Sequence, residues 1–227
     1  MMISNKRERE SKSSQSSILT ILAHRGFWDT KAEQNTLQAF KKAFENGFGI
    51  ESDLRDCKGK IVISHDLAHF TTLNLNELLT LHQNYDKLPL ALNIKADGLQ
   101  KILKNSLKQF KTQNYFTFDM SVPDILGFER ENLCFYTRQS DLEKTPILYE
   151  RACGVWLDEF KEHWIDERVI LRHLNAGKSV CIVSPELHNR AYKREWGEYK
   201  SIIKGLKSDK IALCTDLPQL AKEFFNE

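Results

Sequence analysis

The sequence predicts an α/β protein whose strands form a (β/α)8 TIM barrel. Short apolar segments recur along the chain, and they alternate with stretches that have helical spacing of their apolar residues. Such alternation indicates a parallel sheet that is covered by helices. About 210 residues follow a polar N-terminal segment, which is near the lower end for eight repeats. An open, doubly wound sheet is the alternative, but the chain has no GxGxxG or GxxxxGK[ST] motif.

Eight apolar segments are the predicted strands of the barrel. They cover residues 18–23, 49–54, 88–94, 115–118, 133–136, 154–157, 180–183 and 211–214. A further segment, 60–64, follows a turn at 56–59 and predicts a small hairpin after strand two. The helical pattern is clearest at Leu37, Phe40, Ala43 and Phe44. It is also present at 99–110, 163–176, 186–205 and 216–225.

Composition restricts the class of protein. Residues 1–17 are charged and rich in Ser, which predicts a disordered polar tail ahead of a single domain at 18–227. The tail has no apolar stretch typical of a signal peptide, so we expect a cytoplasmic protein without a transmembrane segment. The formal net charge of +2 argues against a nucleic-acid partner. Five cysteines without a CxxC pair argue against a disulfide scaffold or a zinc knuckle.

Polar residues follow the predicted strands at one end. This ring comprises His24, Arg25, Glu51, Asp53, His65, Asp66, Asn93, Lys95, Asp119, Thr137, Arg138, Asp158, Ser184, Thr215 and Asp216. In a barrel these residues meet at the C-terminal mouth, where active sites lie. Helix capping explains single Ser, Thr or Asp residues, and we interpret Ser184 and Asp216 in that way. Capping does not explain the histidines, the cations and the acidic pair.

The acidic pair predicts a metal site. Glu51 and Asp53 are two residues apart in a strand, so both side chains point to one face. Adjacent carboxylates repel each other unless a cation lies between them, and oxygen ligands suit Mg²⁺ or Ca²⁺. Asn93, on the next strand, adds a third oxygen. The alternative is a salt bridge from this pair to Arg25, Arg55 or Lys95.

Two histidines are candidates for acid–base catalysis. His24 and His65 lie on segments that are expected to approach each other at the mouth, and two imidazoles can act as an acid and a base. Arg25 has a planar guanidinium that matches phosphate oxygens. The remaining histidines have no such neighbours in the sequence, and we interpret them as structural: His69, His82, His163, His173 and His188.

Taken together, these motifs resemble those of the glycerophosphodiester phosphodiesterases, within the phosphatidylinositol-phospholipase-C-like superfamily. The resemblance rests on four short motifs: His24-Arg25-Gly26, Gln34-Asn35-Thr36, Glu51-Ser52-Asp53 and His65-Asp66. It is dense over 21–66 and thinner afterwards, where Asn93-Ile94-Lys95 and Thr215-Asp216-Leu217-Pro218 fit the family layout. The chain resembles a divergent member with a short insertion at 67–87.

The resemblance implies a metal-dependent phosphoric diester hydrolase acting on a small phosphodiester. It assigns acid–base catalysis to His24 and His65, phosphate binding to Arg25 and Lys95, and one divalent ion to Glu51 and Asp53. Arg138 and Asp158, further round the ring, are candidates for binding the alcohol. The family usually has Glu at the position of Asn93 and Glu at the position of Gln34. These departures, with the short insertion, leave the alcohol open: glycerol, a lipid headgroup or a glycan.

Two other functions remain open for the same site. A degenerate barrel would bind a phosphorylated ligand without turnover, which the Asn93 and Gln34 departures favour. A cyclising transferase or lyase would release an alcohol and leave a cyclic phosphate. Separately, the basic and aromatic stretch 188–204 has the residues of a surface for anionic lipid or glycan, although such a stretch is more often a solvated helix face.

Overall fold

The protein is described from a computed structural model, which covers residues 19–69 and 72–227. The tail predicted at 1–17 lies outside the described residues. Within them, a nine-stranded sheet curves into a nearly closed barrel. Its eight parallel strands alternate with helices, which confirms the predicted (β/α)8 architecture.

The strands follow one another around the barrel in a simple order. They are β1 (Thr20–His24), β2 (Gly49–Cys57), β3 (Lys60–Ile63), β4 (Leu90–Ile94), β5 (Tyr115–Phe118), β6 (Tyr136–Ser140), β7 (Gly154–Asp158), β8 (Ser179–Val183) and β9 (Ile211–Thr215). The order is β5-β4-β2-β1-β9-β8-β7-β6, and β3 pairs antiparallel with β2 as the predicted hairpin. A parallel bridge between Thr117 and Phe135 joins the two ends.

Seven α-helices cover the described part of the barrel. They are α1 (Leu37–Glu45), α2 (Leu75–His82), α3 (Gln100–Gln109), α4 (Val122–Arg130), α5 (Glu167–Asn175), α6 (Lys193–Leu206) and α7 (Pro218–Asn226). The inward faces are mainly apolar: in α1 the buried residues are Ala39, Phe40, Ala43 and Phe44. The β6–β7 connection carries a 3₁₀ turn, Tyr149–Arg151, where the other parallel connections carry an α-helix.

The core has two layers, because the strands are buried on both faces. The larger cluster lies between the strands and the helices and includes Phe40, Ile50, Leu92 and Tyr199. The smaller cluster fills the barrel interior with Leu22, Ala91, Phe116, Phe118, Trp156, Cys181, Val183 and Cys214. The interior is therefore packed and does not form a pore, so a ligand has access only at the ends of the strands.

Two sequence-based expectations about elements were wrong. The strand predicted at 133–136 is β6 at Tyr136–Ser140, because Leu133 and Phe135 are buried in the connection that enters the strand. The helices α2 and α4 were not predicted from the spacing of apolar residues.

Among the described residues, no helix is both long and apolar enough to cross a bilayer.

Candidate active site

A tight turn at the end of β1 positions the first polar residues of the mouth. Arg25 has a φ of 56° and Gly26 a φ of 93°, so the chain turns through left-handed backbone immediately after His24. A Cβ at Gly26 would lie 2.8 Å from Cβ of Ala39, so glycine is required there. The backbone N–H of Arg25 donates to the Glu51 carbonyl oxygen over 3.1 Å. The turn is thereby fixed against β2, which carries the acidic pair.

His24 is oriented by two carboxylates. Its Nδ1 lies 2.7 Å from Oδ1 of Asp216, and its Nε2 lies 3.8 Å from Oε2 of Glu51. Burial lowers the pKa of His24, but the hydrogen bond to Asp216 and the charge of Glu51 outweigh burial and raise it above its usual value. The two carboxylates therefore stabilise the imidazolium form of His24 and hold its ring in one orientation. The interpretation of Asp216 as a helix cap was wrong, because its carboxylate binds His24.

The acidic pair of β2 is almost completely buried. Glu51 and Asp53 are each 1% exposed, and they lie on one face of the strand as predicted. Burial and the neighbouring Asp53 charge raise the pKa of Glu51 to about 7. Oδ2 of Asp53 accepts a hydrogen bond from the Asn35 side-chain amide over 2.9 Å and forms an ion pair with Arg25 Nε, also at 2.9 Å. The salt bridge to Arg25, which we considered as an alternative to a metal, is therefore present on one oxygen of Asp53.

The remaining oxygens of the acidic pair fit a divalent ion. Asn93 is the register partner of Asp53 on β4. Among the described residues, neither Asn93 Oδ1 nor Asp53 Oδ1 has a hydrogen-bond partner, and both atoms are buried; Lys95 Nζ lies 3.5 Å from Asp53 Oδ1. Unpaired buried oxygens are costly, and oxygen-only donor sets suit Mg²⁺ or Ca²⁺. The donor set of Glu51, Asp53 and Asn93 is therefore compatible with such an ion.

A chain of charges continues round the mouth from β4 to β6. Lys95 Nζ lies 3.8 Å from Oδ2 of Asp119, and Arg138 Nη1 lies 3.0 Å from Oδ1 of Asp119. Arg138 also binds Glu143, and its guanidinium lies 5.6 Å from the ring centre of Phe160. Burial raises the pKa of Asp119 despite these two cations. Lys95 and Arg138 thus lie at the mouth, each paired with acids.

His65 lies at the edge of the mouth. It is exposed, and its Nδ1 is 2.9 Å from Oδ1 of the exposed Asp66. It lines an open cavity of about 450 Å³ together with Arg25, Gln34 and Asn35. Within the described residues, no hydrogen bond joins the His65 and His24 imidazoles. The structure therefore brings His65 to the same cavity as Arg25, while His24 lies deeper, beside Glu51.

His188 is a mouth residue that sequence reasoning interpreted as structural. Its Nε2 lies 2.5 Å from Oδ1 of Asp158, at the end of β7, and its ring packs against Phe160. Asp158 was predicted at the mouth, but its partner comes from the 3₁₀ turn Pro185–His188, after β8. A polar residue 30 positions away gives no local signal. Only the barrel topology, which makes β7 and β8 neighbours, could have suggested the contact.

A buried hydrogen-bond network joins the ends of β8 and β9. Glu186 accepts hydrogen bonds from the hydroxyl groups of Ser184 and Thr215, and from the backbone N–H of Asp216. The indole N–H of Trp196 donates to the Ser184 hydroxyl. Ser184 occupies the N-cap position of the 3₁₀ turn Pro185–His188, as interpreted, but its hydroxyl binds Glu186 and caps no backbone N–H. This network fixes the backbone of Asp216, and therefore the carboxylate that orients His24.

A separate acidic cluster with one histidine lies beside β7. Glu159, His163 and Glu195 each offer a ligand atom, and these atoms lie within 4.8 Å of one another. The cluster is a candidate metal-binding group that the sequence did not reveal. It is distinct from the predicted donors Glu51, Asp53 and Asn93.

The barrel was compared with known proteins. No family model and no curated protein matches the sequence. Solved structures do match: a glycerophosphoryl diester phosphodiesterase from Parabacteroides distasonis is 14% identical, with a TM-score of 0.68 over 94% of this chain and 88% of that one. A glycerophosphodiester phosphodiesterase from Agrobacterium tumefaciens is 13% identical, with a TM-score of 0.64 over 90% and 99%. The chain has the fold of the glycerophosphodiester phosphodiesterases.

The similarity of fold extends to a phospholipase C. A Ca²⁺-dependent phosphatidylinositol-specific phospholipase C from Streptomyces antibioticus is 9% identical, with a TM-score of 0.54 over 90% of this chain and 96% of that one. The resemblance inferred from the four motifs is therefore confirmed at the level of the fold. At these identities the fold does not determine an activity, which has to be argued from the site.

Proposed function

We propose that this protein is a metal-dependent phosphodiesterase that hydrolyses a small alcohol phosphodiester at the mouth of the barrel. The observation that carries the proposal is the convergence of His24, Glu51, Asp53 and Arg25 on one buried corner of the mouth, with His24 oriented by Asp216. An oriented imidazole beside paired carboxylates and a guanidinium supports phosphoryl chemistry. The shared fold with phosphodiesterases is a second, weaker support.

Two cations are proposed to bind the phosphate. Arg25 lines the open cavity, and Lys95 lies between Asp53 and Asp119. Both are held near carboxylates, so their charges are fixed before a substrate arrives. An incoming phosphate shares these cations with Asp53 and offsets part of their charge. Arg138 and Asp158, on the opposite side of the mouth, are proposed to contact the alcohol.

Two imidazoles are proposed to move the protons. His24 takes the proton of the attacking water, because Asp216 and Glu51 stabilise the imidazolium that results. As the water oxygen bonds to phosphorus, the bond from phosphorus to the departing alcohol oxygen breaks. His65, on the open side of the cavity, gives its proton to that oxygen. The products are a phosphomonoester and an alcohol.

Glu51, Asp53 and Asn93 are proposed to hold one divalent ion, Mg²⁺ or Ca²⁺. When bound, such an ion polarises a phosphoryl oxygen and offsets the negative charge that develops on it. Asn93 is neutral, so we expect weaker metal binding than three carboxylates would provide.

The test measures hydrolysis of a panel of phosphodiesters. Each substrate contains glycerol phosphate or the phosphate of a related alcohol. The wild-type protein, freed of metal with EDTA, is assayed with Mg²⁺, Ca²⁺ or Mn²⁺ returned one at a time. We expect metal-dependent release of a monoester, and a loss of at least 100-fold in kcat for His24→Ala, because general acid–base catalysis typically contributes that much. Asp216→Asn, which only misorients His24, should lose about 10- to 100-fold with KM little changed.

The control variant is His69→Gln, which removes an exposed histidine that follows the same hairpin. It should retain wild-type activity. Phosphorus NMR of the product separates hydrolysis from transfer, since a cyclic phosphate would indicate attack by a substrate hydroxyl. Full metal-dependent activity in His24→Ala would exclude the mechanism. Binding of diesters without any product would replace the proposal with a ligand-binding barrel.

A further inference from the structure

The cluster beside β7 is built from two elements that pack against each other. Glu159 directly follows β7, and His163 lies in the connection from β7 to α5. Glu195 lies in the first turn of α6. Glu159 is completely buried, Glu195 is 6% exposed, and the His163 side chain, at 17% exposed, is the part of the cluster nearest to solvent.

Glu159 is held rigidly at the centre of the cluster. Its Oε1 accepts hydrogen bonds from the backbone N–H groups of Trp164 and Ile165, each over 2.9 Å. Its Oε2 accepts from the Tyr199 hydroxyl over 3.1 Å and from Nη1 of Arg190 over 3.2 Å. A carboxylate bound in this way keeps its orientation, as metal ligands generally do.

Glu195 has one oxygen satisfied and one that is not. Its Oε1 accepts from Nη2 of Arg190 over 2.6 Å. Its Oε2 is buried and has no hydrogen-bond partner among the described residues. A buried carboxylate oxygen without a partner is costly, and a cation in the cluster would satisfy it. Arg190 does not fill this role, because its two nitrogens contact Glu159 Oε2 and Glu195 Oε1.

His163 has the environment typical of a metal-ligating histidine. Its Nδ1 faces the cluster, 2.9 Å from Oε1 of Glu159 and 3.9 Å from Oε1 of Glu195. Its Nε2 lies 2.8 Å from Oε2 of Glu198, outside the cluster. Histidine ligands commonly donate their second N–H to a carboxylate in this manner, which fixes the tautomer and strengthens the ligand.

We propose that Glu159, His163 and Glu195 form a zinc site that links the β7–α5 connection to α6, separate from the proposed metal site of the mouth. Zn²⁺ replaces the proton that Nδ1 of His163 shares with Glu159, and Arg190 keeps its contacts with the other carboxylate oxygens. One imidazole and two carboxylates suit Zn²⁺ and leave a fourth position for water. The all-oxygen donors of the mouth suit Mg²⁺ or Ca²⁺ instead.

The experiment measures zinc binding without an activity assay. Tag-free full-length protein is stripped of metal and titrated with Zn²⁺ in excess Mg²⁺, by calorimetry and by thermal unfolding. We expect one Zn²⁺ per chain, and a Tm that rises by about 5–10 °C when free Zn²⁺ is about 100 times Kd. Co²⁺ in place of Zn²⁺ should give the visible spectrum of a nitrogen–oxygen site. A strong thiolate charge-transfer band would instead point to Cys134 and Cys153, which hydrogen-bond to each other.

Three variants test the assignment. His163→Gln and Glu195→Gln should each abolish the zinc-dependent rise in Tm, and Glu198→Gln should weaken zinc binding by about 10- to 100-fold. Asp53→Asn, which alters only the mouth, should leave the zinc response unchanged. The Tm of each metal-free variant is measured first, so that misfolding is recognised. Absence of zinc binding by the wild type, or an undiminished zinc response in His163→Gln, would overturn the proposal whether or not the protein is a phosphodiesterase.

Discussion

At the scale of single residues, the two carboxylate oxygens of Asp53 at the mouth have different surroundings. Oδ2 of Asp53 is bound by Arg25 and Asn35, while Oδ1 has only Lys95 at 3.5 Å. Asn93 contributes a second unpaired oxygen beside it. Because one of its oxygens is bound, the buried carboxylate is held in place. The orientation of its other oxygen is therefore fixed before any ligand binds. If the proposed ion binds here, we expect Asn93 to influence its affinity.

Asn93→Asp tests that role with a side chain of almost the same shape. A third carboxylate adds repulsion to Glu51 and Asp53, so the metal-free Tm should fall. The same charge attracts a divalent ion, so we expect the affinity for Mg²⁺ or Ca²⁺ to rise at least about tenfold. Calorimetric titration and metal-dependent thermal unfolding measure both effects. An unchanged metal affinity would show that Asn93 does not contact the ion.

A second residue-scale feature lies away from the mouth. His173 in α5 is 1% exposed, and its Nε2 donates to Oε1 of Gln139 over 2.9 Å. Its Nδ1 accepts from the Tyr149 hydroxyl over 2.9 Å. Burial, with the nearby Arg172 charge, lowers the pKa of His173 to about 4. Both ring nitrogens are therefore used by the neutral imidazole, and protonation breaks the Tyr149 hydrogen bond.

His173 should make stability depend on pH. Its folded pKa of about 4 lies below its unfolded value of 6.5, so between these values the unfolded chain binds more protons. Its contribution is complete above pH 6.5 and is lost as the pH falls towards 4, by about 3 kcal/mol at most. Denaturant unfolding at several pH values should show a smaller acid loss in His173→Gln than in the wild type. The exposed His69→Gln should match the wild type, and parallel curves for His173→Gln and wild type would contradict the assignment.

The sequence predicted some site residues and missed others for a geometric reason. Glu51 and Asp53 are two apart in one strand, and His24 and Arg25 are adjacent, so local spacing placed them correctly. Asp216 was placed at the mouth but interpreted as a cap, and His188 was interpreted as structural, because the partner of each lies far away in the sequence. The His24–Asp216 contact spans 192 positions, and no local pattern reports such a pair. Their roles required the fold.

At the scale of elements, the start of α2 is marked by a capping motif and not by the spacing of its apolar residues. Asn74 caps the helix: its side chain accepts from the backbone N–H of Glu77, and the Glu77 carboxylate binds the Asn74 backbone N–H. This capping box satisfies two of the donors left free at a helix start. The residues Asn74 and Glu77 stand three apart in the sequence, so the helix start was predictable from capping.

Asn74→Ala should weaken α2 where it meets the hairpin strand. Loss of the cap typically costs about 1 kcal/mol of unfolding free energy. Asn74 also forms a bridge with Val62 of β3 through its backbone, which alanine preserves. The matched control is Asn76→Ala, an exposed position in the first turn of the same helix, where we expect a change below about 0.5 kcal/mol. Equal losses in the two variants, measured by denaturant unfolding, would show that the capping box contributes nothing.

The strand β6 was shifted in the prediction because its own residues are mostly polar. Only one of its five residues is aromatic, and the apolar residues of this segment precede the strand. The five residues are Tyr136, Thr137, Arg138, Gln139 and Ser140. Thr137 and Gln139 are nevertheless buried, since they hydrogen-bond to the carbonyl groups of Ile147 and Lys144. A strand that buries polar side chains against its own loop cannot be found by an apolar run. β6 is also the strand at which the barrel closes.

At the scale of the whole molecule, side-chain packing closes the barrel between β5 and β6, where few backbone hydrogen bonds join the strands. Only one bridge, Thr117 to Phe135, joins the β5 and β6 sides of the described barrel. Across that seam the rings of Phe116 and Tyr136 stack with centres 3.8 Å apart, and those of Phe118 and Trp156 with centres 3.9 Å apart. Stacked aromatic pairs contribute about 0.5–1.5 kcal/mol beyond their buried area. The seam is therefore stabilised mainly by packing.

Gly154→Ala should loosen this seam and also strain the pairing of β7 with β8. A Cβ at Gly154 would lie 2.5 Å from Cζ of Tyr136 and 2.7 Å from the Ser179 carbonyl oxygen, so the Tyr136 ring must move off Phe116. Overpacking of this kind typically costs about 1–3 kcal/mol. Because the ladder between β5 and β6 is short, we expect amide exchange to rise more in these two strands than in β2 and β4, whose register is continuous.

Gly197→Ala is the matched control for the seam. A Cβ there meets nothing within 4 Å, and the position lies inside α6, where alanine should raise stability by about 0.5–1 kcal/mol. Hydrogen exchange and denaturant unfolding distinguish the outcomes. A uniform rise in exchange around the barrel of Gly154→Ala would mean that the wall opens as one unit. A rise confined to β5 and β6 would mean that the mouth residues Asp119 and Arg138, which follow and lie on these strands, can separate while His24 and Glu51 stay in place.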